Sequence, residues 1–179
     1  MPKTNPKVAK LPHPDCYFLE AAVGWVELGN PAEALKELEQ ISADNQNVPQ
    51  VLEVKWQIHA RTESWDKSLP VAQEFCKAAP GLPQPWLHQA VSLYRLNRTA
   101  EAWQLLLPFA QKFPRSWVIP YDLACYACQL GKVDEGRRWL RKAFKLGDSK
   151  EVKLLALADP DLKILWPEIQ SGRWELSAE

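Results

Sequence analysis

PWLHQAVSLYRLNRTAEAW, residues 85–103, has apolar stretches on both sides of a polar turn, Asn97-Arg98-Thr99. Trp86 precedes Ala102, with the small residue Ala90 between them. Whether this is a single amphipathic hairpin or one copy of a repeat decides the fold. Sliding the stretch along the chain in steps of 34 residues gives the answer. Ala102 falls on Ala34, Ser68 and Gly136, all small, with no insertion or deletion. Ala90 falls on Ala22, Trp56 and Ala124, and Trp86 on Phe18, Leu52 and Pro120. Leu106 falls on Leu38, Ala72 and Leu140, and Phe109 on Ile41, Phe75 and Ala143. The turn residue Asn97 falls on Gly29, Glu63 and Gly131, and Pro114 on Pro80. A register kept over four copies is the signature of a repeat protein.

Within each copy, apolar residues recur at three- and four-residue steps before and after the polar break, which predicts two amphipathic helices. Gly29 and Gly131 suit a left-handed helix C-terminus, and Ser64 and Thr99 suit helix N-caps. The small residues let the two helices approach closely. One hairpin cannot bury both of its apolar faces, so stacking on a neighbour is what folds it. Pro70 and Pro108 fall inside predicted second helices, where each removes a backbone donor and predicts a kink. After the copies, Ser149 is placed to cap a helix carrying Val152, Leu154, Leu155 and Leu157, and "ADPDL" restarts the chain with Pro160 in a first turn.

The period, and the order aromatic–small–aromatic–turn–small–aromatic–Pro, resemble the tetratricopeptide repeat over about residues 15–150, with the third copy the best match and the second the worst. The resemblance implies an all-α, right-handed superhelical array of four helix-turn-helix repeats (15–48, 49–82, 83–116, 117–150). A tail at 1–13 and a C-terminal capping helix and tail at 151–179 complete the expected organisation.

Composition narrows the function. Apolar residues make up 46% of the 179, enough for a core, and Lys+Arg balances Asp+Glu at 22 each. That balance lacks the electrostatic footprint of a nucleic-acid binder. No run approaches the length of a membrane span, and "MPKTNPKVAKLPHP" has no apolar core of a secretory signal. Four Cys do not make a disulfide framework in a chain of this size, so a reduced, cytoplasmic protein is expected. No nucleophile–base pair, phosphate loop or paired acids with a partner stands out, which predicts neither an enzyme nor a cofactor.

Family members bind partners on the inner face of the first helix of each copy. Carried over, that face includes Leu19 and Val23, Gln57 and Arg61, Leu87, His88, Val91, Tyr94 and Arg95, and Tyr121, Asp122 and Cys125. Relatives that hold chaperone tails place Lys, Asn and Arg there as a carboxylate clamp. This chain has Leu19, Glu53, Leu87 and Tyr121 at the leading clamp position and Val23, Gln57, Val91 and Cys125 at the next. A free carboxylate terminus therefore lacks a charge-assisted partner. The expected ligand is a peptide or helix of a partner protein, with a homo-oligomer as the competing reading. Thiol redox or metal chemistry ranks lower. Cys125 and Cys128 lie one turn apart, but two thiols do not complete a metal site, and mid-helix thiols lack the acidifying helix N-terminus. Glu20, His88 and Asp122 share a repeat position and read as a polar margin, not as metal ligands. His59 reads as a packed core residue. Most of the nine Trp fall on core positions; Trp103, Trp117 and Trp174 have no assigned packing partner. Lys132, Arg137, Arg138, Arg141, Lys142 and Lys145 crowd one predicted helix, which reads as a solvated face.

Overall fold

The computed structural model describes residues 11–172. The described residues form helices and turns, with no strand among them. Residues 1–10 of the expected tail, and Trp174, lie outside them. Contacts divide the chain into two compact units, Met1–Pro80 and Gly81–Glu179.

The first unit holds α1 (Asp15–Glu27), α2 (Pro31–Glu39), α3 (Pro49–Arg61) and α4 (Trp65–Ala78). The second holds α5 (Gln84–Arg95), α6 (Thr99–Leu106), α7 (Phe109–Lys112), α8 (Val118–Gln129), α9 (Val133–Leu146), α10 (Ser149–Ala158) and α11 (Trp166–Gln170). The second helices of the four hairpins begin at Pro31, Trp65, Thr99 and Val133, on the stride read from the sequence.

The turn before each of these starts is the same object. Gly29 (φ 75°), Glu63 (φ 53°), Asn97 (φ 60°) and Gly131 (φ 74°) all adopt the left-handed conformation. The next residue's N–H then reaches back five residues: Asn30 to Trp25 O (2.9 Å), Ser64 to His59 O (2.9 Å), Arg98 to Leu93 O (2.9 Å) and Lys132 to Ala127 O (2.8 Å). This closure satisfies carbonyls that a helix end leaves orphaned and turns the chain for the return helix. Beyond the turn, Ala22, Ala34, Ala90, Ala102, Ala124 and Ser68 are completely buried. A Cβ on Gly136 would come within 2.6 Å of Cys128 Sγ and 3.2 Å of Ala124 O, so any side chain where α9 crosses α8 requires Cys128 to shift.

The first unit packs around Ala22, Val26, Leu38, Ile41, Val51 and Ile58. Here α2 ends early, and Gln46 donates its amide to the freed carbonyls of Leu38 (2.8 Å) and Ile41 (2.7 Å). Asp15, only 3% exposed, accepts from Ser42 N (3.1 Å), from the Ser42 hydroxyl and from Asn45 Nδ2 (2.7 Å). Those hydrogen bonds hold its carboxyl below the usual range and fasten the start of α1 to the loop after α2.

Four local expectations are corrected. Thr99 is the first residue of α6, not its cap, and Ser64 precedes α4 without a side-chain capping bond. Asp148, not Ser149, caps α10, accepting from Lys150 N (2.9 Å) and Glu151 N (3.0 Å). Pro70 is accommodated inside α4, whereas Pro108, four residues deeper in its copy, separates α6 from α7 outright. Along α10, Val152 and Ala156 are buried, whereas Leu154 and Leu155 are exposed.

Because a Cβ on Gly131 would meet nothing within 4 Å, substitution there tests the backbone conformation alone. Gly131→Ala is expected to lower stability, and Glu63→Gly to raise it, each by about 1 kcal/mol. Urea unfolding with unchanged m-values checks both signs.

Candidate functional site

Ten of the twelve residues expected on the inner face line two cavities, one in each unit. Leu19, Val23, Gln57 and Arg61 line the first, of about 630 Å³, with Glu53, Val54 and Ala60. It lies between α1 and α3, the leading helices of their hairpins, and Val23 is exposed on its wall. Burial raises the carboxyl of Glu53 above its ordinary range.

Val91, Tyr94 and Arg95 of α5 and Tyr121, Asp122 and Cys125 of α8 line the second, of about 500 Å³. Tyr126 of α8 lines it too, and the remaining wall comes from outside the hairpins: Leu155 and Ala158 of α10, and Asp159, Pro160 and Asp161 where the chain turns back. This 3-10 turn, Pro160–Leu165, is anchored from beneath, since Leu162 and Leu165 are completely buried and Ile169 of α11 is nearly so. Trp166 adds a hydrogen bond from Nε1 to Ala156 O (2.9 Å), and Arg137 of α9 pairs with Glu168 (2.7 Å) and with Asp134.

So anchored, the turn presents two carboxylates to the leading helices. Asp161 accepts from the Tyr94 hydroxyl (2.5 Å) and from Gln129 Nε2 (2.8 Å). Asp159 accepts from the Tyr121 hydroxyl (3.1 Å) and the Cys125 thiol (3.4 Å), and its other oxygen accepts from Asp161 N (3.0 Å). Burial first, and then these neighbouring charges, drive the Tyr94, Tyr121 and Cys125 protons well above their ordinary pKa values. Asp122 lies in the same pocket without a described hydrogen-bond donor. Burial, reinforced by the charge of Asp159, pushes its carboxyl up to about 7.

Leu87 and His88 line neither cavity. His88 is half-buried and pushed down to about 4 by burial, so its imidazole is neutral at pH 7. Glu20 is exposed and lines neither cavity. His59 is half-buried, and burial lowers its pKa. Among the described residues, no group of three or more His, Cys, Asp or Glu is arranged to hold a metal ion. Burial pushes the Cys128 thiol up to about 11, so at neutral pH it is a protonated, weak nucleophile.

Of the Trp residues without an assigned partner, Trp103 is buried edge-on against Trp139 (6.4 Å between centroids), and Trp117 meets Tyr121 edge-on (6.1 Å). Part of the basic row on α9 is engaged as well. Lys132 lies over Trp103 and Lys142 over Trp139, each 5.2 Å from a ring centroid. No described helix is long and apolar enough to cross a membrane.

No family model matches the chain, and no curated protein matches it in sequence. Solved structures do resemble it. MamA from Desulfovibrio magneticus RS-1 (residues 41 to the end) has a TM-score of 0.70 at 16% identity, covering 96% of this chain and 99% of that one. A thermophilic TPR protein of Thermus thermophilus has a TM-score of 0.68 at 18% identity, covering 92% and 87%. MamA MSR-1 has a TM-score of 0.64 at 20% identity, covering 76% and 78%. The fold is thus a tetratricopeptide-like, all-α helical repeat.

Asp122 gives the site a measurable pH signature. Its raised pKa means that the folded chain holds this proton more tightly than the unfolded chain does. The cost is absent below about 4, grows through the interval, and is complete above about 7. Asp122→Asn should therefore melt at least ~3 °C above the parent at pH 8, equivalent to about 1 kcal/mol for a chain of this size, and level with it near pH 4. Paired thermal melts across that range measure the difference.

Proposed function

We propose that the chain is a non-enzymatic interaction scaffold whose leading-helix faces hold a peptide or helix of a partner protein. The observation that carries this reading is the origin of the two cavities. In each unit, consecutive first helices supply an open concavity walled by both apolar and polar side chains: Val23, Gln57 and Arg61 in one, Val91, Tyr121 and Arg95 in the other. A mixed lining suits an amphipathic segment, whose apolar side chains take the pockets and whose polar ones fix direction. The fold itself does not name a ligand. The absence of cationic clamp residues at Leu19, Leu87 and Tyr121 argues against capture of a terminal carboxylate. Cytoplasmic residence is part of this reading.

Peptide display on the immobilised chain tests it. Enriched peptides should lose at least tenfold in affinity in Val23→Glu or Val91→Glu, with unchanged helical circular dichroism. Peptides indifferent to both substitutions would place binding elsewhere.

A homo-oligomer is the second reading, favoured by the exposure of Leu154 (73%) and Ile164 (59%) on the C-terminal segment. Sedimentation velocity over a hundredfold range of concentration should then show a mass that rises with concentration in the parent and not in Leu154→Glu with Ile164→Glu. A constant monomer mass would eliminate it.

A further inference from the structure

The geometry points to the cavity between α5, α8 and the Pro160–Leu165 turn as the seat of one arginine side chain of a bound peptide, its guanidinium received by Asp122 between Tyr94, Tyr121 and Tyr126. This rests on the peptide-binding reading above and adds the chemistry of the residue that enters.

Two independent observations lead there. The first is uncompensated charge. Asp122, Asp159 and Asp161 all line the cavity, and none forms an ion pair with a described Lys or Arg. Hydroxyls, a thiol and amides satisfy Asp159 and Asp161 as acceptors. Those donors are neutral, so the negative potential stays. Among the described lining residues Arg95 is the only cation, and it is exposed.

The second observation is an orphaned polar group. Tyr126 lines the same cavity, is 2% exposed, and its buried hydroxyl has no hydrogen-bond partner among the described residues. A buried hydroxyl is costly to leave unpaired, so this one points to a partner supplied by what binds there. Asp122 lacks a donor beside it. A planar fork of N–H donors fits this set of acceptors better than a point charge does, and guanidinium also stacks on aromatic faces. Tyr94 and Tyr126 already lie 5.1 Å apart, centroid to centroid, beside the carboxylates.

The full-length chain is titrated with acetyl-Gly-Arg-Gly-amide while backbone amide shifts are followed by NMR. Parallel arms replace Arg by Lys or by citrulline, the neutral isostere. The arginine peptide should give saturable shifts confined to residues 91–95, 121–126 and 155–161, with Lys weaker and citrulline at least tenfold weaker. Asp122→Asn should weaken the arginine peptide at least tenfold at pH 8. In the parent, binding should fade as the pH falls to 6, because the Asp122 proton must leave before the cation enters. The other groups facing Asp122 are Tyr94, Tyr121, Cys125 and Tyr126, whose protons are held still more firmly, and Arg95, Asp159 and Asp161. Equal binding of arginine and citrulline peptides, indifference to Asp122→Asn, or the absence of saturable shifts would each overturn the assignment. Display-selected peptides that need Val91 but no arginine would overturn it while leaving the groove standing. Loss of all peptide binding would remove both.

Discussion

Everything in the fold hangs on one backbone constraint, the left-handed residue that ends the first helix of each hairpin. At Gly29, Glu63, Asn97 and Gly131 the chain takes the same conformation, and the following N–H closes the same five-residue bond. That closure fixes where the second helix begins and which residues it lays against the first. Small residues at the crossing then decide how near the helices come, and at Gly136 even a methyl group would press on Cys128 Sγ and the Ala124 carbonyl. Glycine takes the conformation freely, asparagine tolerates it, and glutamate is strained in it. The second copy therefore closes the same hydrogen bond, Ser64 N to His59 O, without a residue that favours the conformation, and it is also the copy whose first helix carries Trp56 at the usual small position.

The same geometry makes the site. Leading helices set side by side leave a concavity, and what fills its walls decides what enters. In the first unit the wall is α1 and α3 alone. In the second the chain returns after its last hairpin and inserts an acidic turn against α5 and α8, anchored by Leu162, Leu165 and Ile169. An apolar cap would have sealed the surface. This one instead introduces Asp159 and Asp161 beside Asp122, and burial together with the neighbouring charges raises the proton affinities of Asp122, Tyr94, Tyr121, Cys125 and Tyr126.

Helix positions were legible because a repeat multiplies a weak signal: each turn was ambiguous by itself, and four in register were not. Leu19, Val23, Gln57 and Arg61 do line one cavity, and Val91, Tyr94, Arg95, Tyr121, Asp122 and Cys125 the other, because one repeat position faces one way in each copy. Leu87 and His88 line neither. What stayed hidden was the contribution of residues 158–161. Asp-Pro-Asp announces a local turn, but its hydrogen bonds to Tyr94, Tyr121 and Gln129 span long stretches of sequence, and no period links them. The helix starts one residue before the expected place at Thr99, where Arg98 takes the cap position without a side-chain bond, and at Ser149, where Asp148 offers an equivalent acceptor one residue earlier. Pro108 broke its helix because it falls deep in its copy, where the lost donor and ring clash cannot be absorbed by a first turn.

The most direct test of the central claim is a backbone resonance assignment of the full chain, read as secondary chemical shifts. Left-handed shifts at residues 29, 63, 97 and 131, each flanked by helical shifts over the ranges of α1 to α6, α8 and α9, are the expected result. Uninterrupted helical shifts through Glu63 or Asn97, or extended shifts where the second helices begin, would contradict it.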